Sequence, residues 1–141
     1  MKRRSPHLPE IIVRDFQFLC ERYGFRVSER VDDKRLGSFG VFANDGVRVI
    51  VEYDQIAGEC DVCFEFLRVG RRRNRISLFA IIQHAGGEDQ GLLRADSEAE
   101  VRTQMAVLAR QCEKYAAKAL LGSADFFLEI EQFNASLQGS G

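Results

Sequence analysis

The sequence predicts an α+β domain: an N-terminal helix, an antiparallel meander of three to four strands, then a short element and two C-terminal helices packed on one face of the sheet. Three observations carry this. Apolar residues recur at helical spacing near both ends of the chain, and they alternate with polar ones through its middle. Ser97-Glu98-Ala99-Glu100 forms a capping box ahead of a long apolar stripe.

The first helix is expected from Pro9 to Tyr23, where Ile12, Phe16, Leu19 and Tyr23 line one face at i, i+4, i+7 and i+11. Pro9 suits its first turn, Glu10 lies at the positive end of its dipole, and Gly24 can close it in the left-handed conformation. Phe25 begins an extended segment with Val27, a polar gap follows through Asp33 and Lys34, and the alternation resumes over Gly37 to Ala43 with Phe39 and Val41 on one side. Asn44-Asp45-Gly46 then supplies residues that tolerate positive φ, between two apolar alternations, and so predicts a hairpin.

The second arm of that hairpin, Val47 to Tyr53, sets Val47, Val49, Val51 and Tyr53 against Arg48 and Glu52, with Ile50 the exception to the alternation. After the loop from Asp54 to Glu59, Cys60, Val62, Phe64 and Phe66 point inward and Asp61 and Glu65 outward. Ile76 to Ala85 is so uniformly apolar that periodicity fits a short helix or a buried strand, and a short helix closed by Gly86-Gly87 is the favoured reading. Behind the capping box, Val101, Met105, Leu108, Cys112, Tyr115 and Ala119 mark about six turns of helix ending at Leu120-Leu121-Gly122. A last helix begins near Asp125, with Phe126, Ile130, Phe133 and Leu137 on its buried face.

A chain of 141 residues can bury one sizeable core, so residues 1–141 read as a single domain with 1–7 and 138–141 frayed. Twenty basic and twenty-one acidic residues leave a net charge of -1, so any charge-driven partner must see a local patch. Met1-Lys-Arg-Arg-Ser-Pro leads into Glu10, Arg14 and Asp15, not into an apolar signal core, and no apolar run is long enough to span a bilayer. A cytoplasmic protein with no membrane partner is expected, its four cysteines reduced.

Candidate chemistry is sparse. Cys60 and Cys63 have the spacing of a zinc or redox pair, but residues three apart on a strand point to opposite faces, and no second half-site follows. Cys20 and Cys112 read as small core hydrophobes on or beside the helix stripes. His7 and His84 are the only imidazoles, and neither lies in a catalytic motif, so neither an enzyme nor a metal site is expected and no cofactor is implied. His84, beside Gly86-Gly87, is the better placed of the two. The acidic pairs Glu52 and Asp54, Asp61 and Glu65, and Glu129 and Glu131 read as solvated surface.

One charge feature stands out: Arg68, Arg71, Arg72, Arg73 and Arg75, five arginines in eight residues after the last clear strand. Such a segment can grip the carboxylates of a protein partner or the phosphates of a nucleic acid, with Lys2, Arg3 and Arg4 able to add to it. No aromatic residue is interleaved, so base stacking is not indicated. Arg48, Glu52, Asp61 and Glu65, on the solvent side of the sheet, form a second surface where a partner could dock.

Phe18-Leu19-Cys-Glu-Arg-Tyr23-Gly24-Phe25, a short antiparallel sheet, and a long helix ending near Tyr115-Ala116 and Leu120-Leu121-Gly122 together resemble small bacterial α+β proteins. Most of those have no assigned activity, and some are similar to immunity proteins that neutralise a toxin by binding it. Their Asp after the closing Gly is displaced here to Asp125. The resemblance implies a non-enzymatic protein-binding module. A nucleic-acid-associated regulator using the Arg68 to Arg75 segment is the alternative.

Overall fold

The computed structural model describes residues 8–33, 35, 37–67, 74–87, 95 and 97–139. Two helical segments, α1 (Leu8–Asp15) and α2 (Gln17–Tyr23), lead into strands β1 (Arg26–Asp33), β2 (Gly37–Ala43), β3 (Val47–Asp54), β4 (Glu59–Phe66) and β5 (Asn74–Ser77). The chain closes with α3 (Leu78–His84), α4 (Glu98–Tyr115), α5 (Ala117–Leu120) and α6 (Ala124–Gly139). The strands form one antiparallel sheet in sequence order, so the α+β meander is as expected, with five strands in place of three to four.

The apolar alternation places the core on one face of the sheet. Val47, Val49, Val51, Cys60, Val62, Phe64 and Phe66 are buried with Phe42 and Ile76 beneath the helices. Phe66 stacks on Phe127 of α6 at 5.0 Å between ring centroids, and Phe42 meets Phe16 at 6.3 Å. On the same face Gly40 lets the first helix come close, since a Cβ there would lie 3.1 Å from Ile12 Cγ2.

Three boundaries differ from expectation. The first helix is interrupted at Phe16, whose backbone leaves helical geometry (φ -103°, ψ 19°). Its side chain is fully buried against the sheet, a tertiary demand that helical period does not register. The long helix is likewise interrupted at buried Ala116 (φ -101°, ψ 15°), so its last turn before Gly122 is the separate segment α5.

The apolar run expected as a short helix over 76–85 divides. Ile76 and Ser77 belong to β5, and Ser77 Oγ accepts the Ala80 amide to start α3, which Gly86 follows at φ 78°. The capping box at Ser97 and Glu100 forms as predicted, with both bonds at 3.2 Å. The last helix runs on to Gly139. No described helix is long and apolar enough to cross a membrane.

Candidate protein-binding face

The helices cover one side of the sheet, and strand alternation therefore sends a second set of side chains to the other. Register assembles them into rows. Glu29, Val41, Ile50, Cys63 and Ser77 form the middle row, running from β1 to β5. On one side of it lie Val31, Phe39, Glu52 and Asp61, and beyond them Asp33, Asp54 and Glu59. On the other side lie Arg26, Ala43, Arg48, Glu65 and Arg75.

This face has an apolar middle and oppositely charged ends. Val41 is 2% exposed and Val31, Phe39 and Ile50 are half-buried, so they form a patch outside the main core. Ile50, the exception to the alternation of its strand, is the centre of that patch. Phe39 and Val41 share a side as expected, and it is the side that the described helices leave uncovered, the open face. Phe42 is the residue that β2 gives to the core.

Glu52, Asp61 and Glu65 are less solvated than the sequence suggests, whereas Asp54 and Glu129 are exposed as expected. Glu52 and Asp61 sit directly opposite one another across β3 and β4, an unfavourable like-charge pair. Burial first, and then the Asp61 charge, raise the Glu52 carboxyl above its usual range, against the opposing pull of Arg75. Burial also raises Asp61, although its Oδ1 accepts the Val62 amide at 2.8 Å. Glu65 is buried (6% exposed) between Arg48 Nη1 at 3.5 Å and Arg75 Nη1 at 3.7 Å. Around the acidic end a cleft of about 300 Å³ is lined by Val31, Asp33, Phe39, Glu52, Asp54 and the exposed Ile56.

Of the arginine segment, Arg75 lies on β5 in register with Glu65, which joins the two surfaces singled out in the sequence. Arg68, Arg71, Arg72 and Arg73 lie outside the described residues, as do Lys2, Arg3, Arg4 and His7.

The Cys60 and Cys63 side chains do part across the strand. Cys60 faces the core with its thiol pushed up to about 12 by burial, while Cys63 lies on the open face, 3.5 Å from Asp61 Oδ2, its thiol raised to about 11 by burial and the Asp61 charge. Cys112 is fully buried and its thiol is also raised, and Cys20 packs half-buried against the core. Among the described residues no three His, Cys, Asp or Glu side chains are grouped to hold a metal ion.

His84 joins α3 to α6. Its Nε2 lies 3.0 Å from Glu129 Oε2, and its ring meets Phe133 and Phe126 edge-on at 5.2 and 6.4 Å. Those contacts give it a packing role. Compared with protein-family models, characterised proteins and solved structures, the chain matches none.

Proposed function

We propose that the chain is a non-enzymatic protein-binding module acting through the open face of its sheet, an inhibitor of the immunity-like kind that the bacterial resemblance implies. The observation that carries this reading is the Glu52 and Asp61 pair held beside Phe39 and Val31. A like-charged pair at the edge of an apolar patch costs the free protein stability, and a partner's Lys or Arg seated there would relieve that cost while its aliphatic stem covers the aromatic ring. The partner expected is a protein with a basic, partly apolar surface.

A nucleic acid is the poorer fit, because phosphates approaching Arg75 would meet Glu52, Asp61 and Glu65 around it. Purification of the tagged chain from its native cell tests the choice. One protein in stoichiometric amount, released by Glu52→Arg, is the expected result, and no such protein would count against it. Salt-sensitive retention on nucleic acid, lost when Arg71, Arg72, Arg73 and Arg75 become Glu, would favour the alternative.

A further inference from the structure

We propose that the same face also binds a second copy of this chain, two sheets packing open face to open face about a two-fold axis that runs along the middle row. This goes beyond the reading above, sharing its surface but naming a different occupant.

The argument rests on charge order along the strands. Rotation about an axis perpendicular to the strands and parallel to the sheet reverses strand direction, so the row of Arg26, Arg48, Glu65 and Arg75 in each copy meets the row of Glu52 and Asp61 in the other. The Glu65 that faces Asp61 is already held between Arg48 and Arg75 of its own chain. Arg48 is two residues from Ile50 in one direction and Glu52 two residues in the other, so with Ile50 on the axis each Arg48 faces the partner copy's Glu52. The half-buried Ile50 would meet its own symmetry mate and Phe39 would lie over the partner copy's Ala43, closing the apolar patch that the helices leave uncovered. Packing about the other in-plane axis would set acidic end on acidic end.

Area fits a reversible contact. Strands about 4.8 Å apart with a rise of about 3.4 Å per residue give a face on the order of 500 Å² per copy, near the lower bound for a specific interface. Contacts of that size are typical of weak, transient encounters, so the micromolar range is the one to test. The dimer hides the partner-binding face, so the second copy and a foreign protein exclude one another.

Sedimentation velocity over about 1 to 300 µM spans that range of affinity. The wild type is expected to pass from monomer to dimer. Glu52→Arg and Arg48→Gln should each weaken the dimer at least about tenfold, since the first sets like charges opposite each other and the second removes the attraction. The decisive sample mixes Glu52→Arg with Arg48→Glu: each is weakened alone, but in the mixed dimer both charge pairs have opposite signs again, and association should return. Circular dichroism of each variant identifies any loss through misfolding, and if Arg48→Glu does not fold, Glu52→Arg and Arg48→Gln decide the matter alone. A wild type that is monomeric throughout, or a dimer indifferent to these substitutions, overturns the proposal. A monomer that still captures a foreign protein leaves the functional reading intact, and a dimer that captures none leaves this one.

Discussion

Glu52 and Asp61 face each other directly across β3 and β4 on the open side of the sheet, and both carboxyls are raised above their usual range, chiefly by burial. A raised carboxyl means that the folded chain binds protons more tightly than the unfolded chain. Its stabilising effect is complete below the unfolded value and is lost as pH rises through the folded one. Glu52→Gln should therefore raise stability at pH 7 by ~0.5 kcal/mol, and the gain should shrink toward zero as pH falls to about 4. Urea unfolding of both proteins across that range measures it; a gain that does not change with pH would mean that ionisation of Glu52 is not its source.

Gly37 begins β2 at φ 136°, and a Cβ there would collide with the Tyr53 carbonyl oxygen of β3. Gly24, at φ 73°, has open space around it. Gly37→Ala should cost ~3 kcal/mol or more and Gly24→Ala only ~1 kcal/mol, because the second pays for backbone conformation alone. Chemical denaturation should rank the two in that order.

The thiols should be slow. With Cys60 pushed up to about 12, Cys63 to about 11 and Cys112 raised by complete burial, a disulfide-exchange reagent at pH 7 should modify them far more slowly in the native chain than in denaturant. Intact mass should also show no bond between Cys60 and Cys63, whose side chains leave β4 on opposite faces. A rapid native burst from either would contradict their placement.

His84 tests what joins α3 to α6. His84→Ala loses the edge-on contacts with Phe126 and Phe133 and should cost ~1 kcal/mol. Glu129→Gln touches a carboxylate that is more than half exposed and should cost less than ~0.5 kcal/mol. Thermal melts that reverse this order would assign the joint to the contact between His84 and Glu129.

The α+β order was legible because its signals are local: the Ser97 and Glu100 capping box, the Asn44-Asp45-Gly46 turn, and the alternation from Val47 to Tyr53. The breaks at Phe16 and Ala116 were not, since each is a buried residue inside an unbroken helical period. The short β5 was hidden for a related reason, as Ile76 lies within an apolar run that suits a strand or a helix equally well.

The candidate face was half legible. Arg48, Glu52, Asp61 and Glu65 could be assigned to the open side by alternation, but the opposition of Glu52 to Asp61 depends on cross-strand register, which spacing along one strand does not reveal. Glu65 carries the same lesson: outward on its strand, it is nonetheless buried between arginines from its two neighbours. Ile50 was the available clue, an apolar residue on the polar side of β3.

Capture from the native cell with two matched variants tests the central claim, that this face is where a partner binds. Ile50→Asp places a charge at the centre of the open face, whereas Leu121→Ser alters an exposed apolar residue in the turn that follows α5. If the open face is the working surface, a partner retained by the wild type and by Leu121→Ser is lost with a folded Ile50→Asp. Retention by Ile50→Asp, or loss with Leu121→Ser alone, would contradict it.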